Sequence, residues 1–133
     1  MNDRDFLLQA VAVANKSSEP IGCGVVITSE GEIIAEEFNS QRKDNIAINH
    51  AEVKAIIAAN KRVGSRKLVS AVAYCSCEPC AMCLTALSYA GVERIVFNKY
   101  MKDLFPDDLQ SALDTRQYVK GLNFAPEVQQ LHI

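Results

Sequence analysis

Two short stretches constrain this 133-residue chain more than any other feature: His50-Ala51-Glu52, and Pro79-Cys80-Ala81-Met82-Cys83. Cys80 and Cys83 stand three apart, so in the first turn of a helix their sulfurs share one face. Pro79 suits the first helical position, where its missing N–H costs nothing, and the spacing predicts a helix beginning at the cysteines. His50 and Glu52 would diverge in mid-helix and can converge only at a helix end. The run of strong helix formers from Ala51 to Ala59 supplies that end, with His50 at its start. His50 and Cys80 are 80 − 50 = 30 residues apart, about the length of one helix, one strand and two short connections. Two helix N-termini can therefore meet above neighbouring strand ends, where open α/β sheets place their sites.

One imidazole and two thiolates form a borderline-soft donor set, for which Zn2+ is the natural ion. Three protein ligands leave a tetrahedral ion one open position, the arrangement of a catalytic rather than a structural site. Water held there ionises near pH ~7, and Glu52 stands where a proton shuttle is needed. Two other readings remain open from the spacing. Cys77, Cys80 and Cys83 also form C-x-x-C-x-x-C, as in iron–sulfur ligation, although the next position in that pattern, 87, is leucine. A closed, structural zinc site would need His50 or Cys75 as the fourth ligand. Otherwise Cys75 and Cys77 read as buried strand-end residues and Cys23 as packing.

The H-A-E and P-C-x-x-C stretches resemble the zinc-dependent nucleobase and nucleoside deaminases, over roughly residues 3 to 98. The resemblance implies a three-layer α/β/α cytidine deaminase-like fold, with helices on both faces of a mixed sheet. It implies zinc on His50, Cys80 and Cys83, Glu52 as the catalytic acid–base, and release of ammonia from a small nucleobase-like heterocycle. Asn39 resembles the family's substrate-binding asparagine, and Ala51 and Glu78 fall in the matching motifs. Cys77-Glu78-Pro79-Cys80 resembles the guanine deaminases and tRNA adenosine deaminases more than the cytosine or deoxycytidylate enzymes. Pro20-Ile21-Gly22 also resembles fungal cytosine deaminase, so the resemblance favours guanine or a related purine and leaves as alternatives a cytosine-type or other amino-heterocycle substrate, a tRNA adenosine deaminase and a catalytically silent zinc-binding module. Members of the family self-associate, which implies a homodimer or a larger homo-oligomer.

The composition bounds the partners. Lys and Arg number 14 against 16 Asp and Glu, a net charge of −2, and this acidic balance argues against a nucleic-acid partner. There is no apolar run of membrane-spanning length, and the acidic Met1-Asn2-Asp3-Arg4-Asp5 start is unlike a signal peptide. Five cysteines, four of them crowded between 75 and 83, do not read as a disulfide framework. The expectation is one domain spanning 1–133, in the cytoplasm, without a membrane partner.

Periodicity predicts a capped amphipathic helix over 3–16, a strand from Cys23 to Thr28, a turn at Ser29-Glu30-Gly31 and a return strand from Glu32 to Phe38. Gly22 and Gly24 either serve the strand start or, as Pro20-Ile21-Gly22-Cys23-Gly24 resembles it in the deaminases, form a small-residue approach to the pocket. A polar loop over 40–49 leads to the His50 helix, which should end near Gly64. Strands are expected at Leu68–Tyr74 and Arg94–Phe97, paired in parallel across the Cys80 helix, which runs to Ala90. Residues 99–133 are less periodic, with a helical stretch between Asp107 and Val119 and a short helix or edge strand after Pro126. In this tail Tyr100, Asp103 and Phe105 are candidates to stack on or hydrogen-bond a substrate.

Overall fold

In the computed structural model, which describes all 133 residues, five strands form one mixed sheet in the order β2-β1-β3-β4-β5. These are β1 (Gly24–Ser29), β2 (Glu32–Phe38), β3 (Ala71–Cys77), β4 (Val92–Lys99) and β5 (Glu127–Gln130). β1 pairs antiparallel with β2 and β3, whereas β3, β4 and β5 run parallel.

The pleat explains the three layers. Val26, Tyr74 and Val96 point to one face and meet Phe6, Leu7 and Ala10 of helix α1 (Asp3–Ala14). Their neighbours Val25, Ile27, Ala73, Cys75, Ile95 and Phe97 point to the other face. There they meet α3 (Ala51–Val63) through Ala51, Ala55 and Ala59, and α4 (Ala81–Tyr89) through Leu84 and Leu87. Alternating side chains on strands buried from both sides give one sheet two cores.

Local chemistry sets the boundaries. Asn2 caps α1 by accepting from the Asp5 N–H at 2.9 Å, while Asp5 accepts from the Asn2 N–H, a reciprocal cap worth about 1 kcal/mol. Glu30 and Gly31, both at positive φ, make the two-residue turn between β1 and β2. Gly24 is required by contact rather than by conformation: a Cβ there would lie 2.1 Å from the Ala10 carbonyl oxygen. α1 thus sits directly on the backbone of β1.

Several expected boundaries move. β3 starts at Ala71 rather than Leu68, because Ser70 takes a left-handed φ of 46°. It then runs on to Cys77 because β1 pairs with Cys75 and β4 with Cys77. The 40–49 loop contains a one-turn helix, α2 (Gln41–Asp44), and a second, α5 (Met101–Leu104), opens the tail. The expected helix between Asp107 and Val119 divides into a 3-10 turn at Leu109–Ala112 and α6 (Thr115–Val119), each capped by an aspartate, Asp108 and Asp114. After Pro126 the chain takes the strand option, β5. No helix is long and apolar enough to cross a membrane.

Candidate metal centre and the cavity above it

α3 and α4 both begin at the sheet end where β3 delivers the chain into Glu78 and Pro79. His50 is the N-cap of α3 and Cys80 the N-cap of α4, both with extended backbone. α4 therefore starts at Ala81, and Pro79 precedes the cap instead of opening the helix. Cys80 and Cys83 still converge, since a cap side chain folds back over the third helical residue. The His50, Cys80 and Cys83 donor atoms all lie within 4.8 Å of one another. His50 Nδ1 is 3.8 Å from Cys80 Sγ and 3.6 Å from Cys83 Sγ. A tetrahedral ion with Zn–S near ~2.3 Å and Zn–N near ~2.0–2.1 Å would hold nitrogen and sulfur about 3.6 Å apart. The donor set thus fits zinc in both chemistry and size.

Hydrogen bonding from Cys83, reinforced by His50, draws the Cys80 pKa down to about 4 against the effect of burial. The bond to Cys80, with burial, pushes the Cys83 thiol well up. The same thiolate, through its hydrogen bond, raises the His50 pKa. Two helix N-termini add partial positive charge beside the sulfurs. A divalent cation completes this arrangement by taking both sulfurs as thiolates and the imidazole as neutral.

Neither alternative use of the cysteines is built. Cys77 faces Cys23 across the sheet, with the sulfurs 2.7 Å apart. Cys75 is buried in the core between sheet and helices. The close donor group therefore has three members and one side left for a small molecule.

On that side lies a cavity of about 200 Å³ lined by His50, Ala51, Glu52, Cys80, Asn39 and Phe105, among others. Glu52, the second residue of α3, is only 6% exposed. Burial pushes its carboxyl pKa up, while a hydrogen bond from Cys83 pulls it back. A buried carboxyl poised to hold or release a proton beside a metal site is what acid–base chemistry needs. Ala51 is fully buried and offers backbone rather than side chain, at a helix N-terminus whose first N–H groups have no intrahelical partner.

The other predicted binding residues are placed unevenly. Asn39 reaches the cavity, but its Oδ1 accepts from the Cys23 N–H at 2.8 Å and its Nδ2 donates to the Ile21 carbonyl at 2.9 Å. One amide hydrogen and one lone pair remain for a ligand. Glu78 lines the cavity while its carboxylate accepts from the Met101 N–H and from the Thr115 hydroxyl, both at 3.0 Å. Its contacts make it the clasp of the tail. Phe105 forms part of the wall, 38% exposed. Asp103 is not among the lining residues: it is exposed on the one-turn α5, where its N–H donates to the Tyr100 carbonyl. Tyr100 lines a separate depression beyond Glu78 and packs edge-on against Phe97 at 5.3 Å.

Sequence reasoning missed Gln41, Asp108, Gln110 and Ser111, all in the cavity wall. Gln41 Oε1 is buried without a hydrogen-bond partner, leaving an acceptor for a ligand donor. No periodicity marks these residues, because they sit on the one-turn α2 and on the capped 3-10 turn of the tail.

Comparison with known proteins agrees with this geometry. The model of the cytidine and deoxycytidylate deaminase zinc-binding region matches residues 1–99. A tRNA-specific adenosine deaminase of Streptococcus pyogenes serotype M18 (strain MGAS8232) is 36% identical over 96 residues, 69% of this chain and 59% of that protein. A guanine deaminase of Bacillus subtilis (strain 168) is 40% identical over 100 residues, 73% of this chain and 64% of that protein. The chain thus spans about three fifths of the length of these relatives. The X-ray structure of guanine deaminase from Bacillus subtilis superposes with a TM-score of 0.73 at 34% identity, covering 80% of this chain and 71% of the other. With the zinc-binding region matched from Met1 to Lys99 and the His50, Cys80 and Cys83 donors gathered at two helix starts, the chain belongs to the cytidine and deoxycytidylate deaminase zinc-binding family.

Proposed function

We propose that this chain is an aminohydrolase that removes the exocyclic amine of a small nucleobase-like heterocycle as ammonia, with a purine base such as guanine ahead of cytosine-type bases. The observation that carries the reading is the buried Glu52 carboxyl beside a three-donor metal group at the floor of a cavity. His50, Cys80 and Cys83 would hold zinc, which would supply Lewis acidity and lower the pKa of the attacking water. Glu52 takes the proton of the attacking water, returns a proton to the ring nitrogen, and delivers one to the departing amine. Its burial keeps bulk water from competing for those protons. The free Asn39 amide hydrogen donates to the edge of a flat ring and the Gln41 oxygen accepts from it, and Phe105 offers a face for stacking.

Three observations support a free base. The cavity of about 200 Å³ lies below the ~300–1,000 Å³ of drug-sized ligand sites. The net charge is −2, and the wall includes Asp108, neither of which attracts a polynucleotide. The guanine deaminase relative has the higher identity of the two described above. The tRNA-specific relatives favour a second reading, the deamination of an adenosine in tRNA. The five unpaired cysteines support a reducing, cytoplasmic setting, and the family's habit supports a homodimer or larger assembly.

The test is ammonia release by the zinc-loaded chain from a panel of purines, pyrimidines, pterins and triazines, with a tRNA anticodon stem-loop as a further arm. Turnover of guanine or a related purine is the expected result. Turnover of the stem-loop alone selects the tRNA reading, and no ammonia from any substrate returns the chain to a silent zinc-binding role.

A further inference from the structure

Cys23 and Cys77 are left over by the metal site and by the proposed chemistry, yet both line the same cavity. Their position follows from register. In the β1–β3 ladder every paired couple sums to 100, from Ser29 with Ala71 to Val25 with Cys75. Carrying that antiparallel register two residues further sets Cys23 directly opposite Cys77. Directly opposed residues have Cα atoms about 4.5–5.5 Å apart, inside the range a disulfide spans. Both side chains fall on the face that carries Val25 and Cys75, and their sulfurs approach to 2.7 Å. The backbone beneath them is fixed: Asn39 Oδ1 holds the Cys23 N–H at 2.8 Å, and the Ser76 hydroxyl holds the Gly24 N–H at 2.8 Å.

We propose that Cys23 and Cys77 form a reversible oxidation site in the cavity wall, a dithiol that closes to a disulfide when a peroxide enters the cavity. The sulfur of Cys77 is the attacking one. It accepts the Cys23 S–H, has the Ser76 hydroxyl at 3.6 Å and the Gly22 carbonyl oxygen, to which its own S–H donates, at 3.8 Å, and is drawn below the ordinary thiol range mainly by that Cys23 bond. Cys77 thiolate attacks one peroxide oxygen; the O–O bond breaks, giving a sulfenic acid and, with hydrogen peroxide, one water. Cys23 sulfur then attacks the Cys77 sulfur, the S–S bond forms, and the hydroxyl leaves as a second water. Two thiols have given two electrons to one peroxide, and an external dithiol such as dithiothreitol reverses the exchange. Cys80 and Cys83 are excluded by their place in the metal group, and Cys75 by full burial in the core. Nothing in this step depends on which base the enzyme deaminates.

The experiment is titration of the zinc-loaded full chain with hydrogen peroxide, followed by non-reducing peptide mapping and zinc analysis. Cys75, Cys77, Cys80 and Cys83 share one tryptic peptide, so the site is read from variants and fragment spectra. About one equivalent of peroxide should join the Cys23 peptide to Cys77, leave zinc in place, and be undone by dithiothreitol. Cys77→Ser and Cys23→Ser should each lose the cross-link, and Cys75→Ser should keep it. A cross-link that survives in Cys77→Ser, or zinc leaving with the first thiols oxidised, overturns the proposal.

Discussion

Residues 1–99 and the tail from Tyr100 to Ile133 face the same cavity but are held by different forces. The first part contains both apolar cores, packed between sheet and helices. Apart from Val119 and Val128 in the core and Met101 beside it, the tail buries few apolar side chains. It is fastened by hydrogen bonds: β5 and the residues after it bond to β4, and the segment before β5 bonds in part to residues around the metal motif. Glu78 accepts from Met101 and Thr115, Tyr118 pairs with Thr85 of α4 at 2.8 Å, and Gln110 accepts from the Ala81 N–H at 3.2 Å. Apolar burial is worth about 25 cal/mol per Å² and is non-directional, whereas each such hydrogen bond nets about 1 kcal/mol and needs its partner in place. The first part is built to hold the metal group rigidly. The tail is built to be positioned by that group and to shape what enters.

Substitutions can break this contrast. Glu52→Gln in the first part should lower kcat by about 10³-fold or more while zinc content and thermal midpoint stay near wild type. Retention of most of the rate would remove Glu52 from the chemistry. Gly24→Ala places a methyl group against the Ala10 backbone and should cost at least about 3 kcal/mol, seen as a large fall in urea midpoint. A neutral result would mean that α1 is not seated on β1 as described. In the tail, Thr115→Val removes one bond to Glu78 and should lower stability by about 1 kcal/mol. Its larger effect should be a raised KM with little change in kcat, because the wall shifts while the metal group does not. Equal loss in both constants would erase the distinction between the two regions.

The smallest effect lies at the far end of the sheet. Arg94 donates twice to Asp3, at 2.7 and 2.8 Å, and Tyr74 donates to the same carboxylate at 2.7 Å. The Arg94 guanidinium holds the Asp3 pKa below its ordinary 3.8. Asp3 therefore contributes stability above about pH 4, and that contribution is lost as the pH falls through its folded value. Since the carboxylate is more than a third exposed, its worth is screened to about 0.5 kcal/mol. Asp3→Asn should flatten the acid limb of a stability-versus-pH curve and leave turnover at pH 7 unchanged.

The same division decides what could be read from the sequence. Period-two and period-3.6 patterns arise where burial is apolar and repeats, so α1, α3, α4 and β1 to β4 were legible, with ends moved by a few residues. His50, Cys80 and Cys83 were legible because a metal demands particular side chains at particular spacings. Ser70 at positive φ, which delays β3, leaves no such trace. The tail follows two local caps, at Asp108 and Asp114, that carry no apolar period, and the Glu78 clasp, whose partners Met101 and Thr115 lie 23 and 37 residues away. For that reason Asp103 was expected in the cavity and lies outside it, while Gln41 and Gln110 were overlooked. Cys77 looked like strand packing because its partner Cys23 is 54 residues away.

Zinc K-edge X-ray absorption on the zinc-loaded chain tests the centre of this account most directly. The fine structure should fit two sulfurs near ~2.3 Å, one imidazole nitrogen near ~2.0–2.1 Å and one further light atom from water, and the sulfur count should fall to one in Cys83→Ala. A shell of three or four sulfurs, or one unchanged in Cys83→Ala, would contradict an open site made by His50, Cys80 and Cys83.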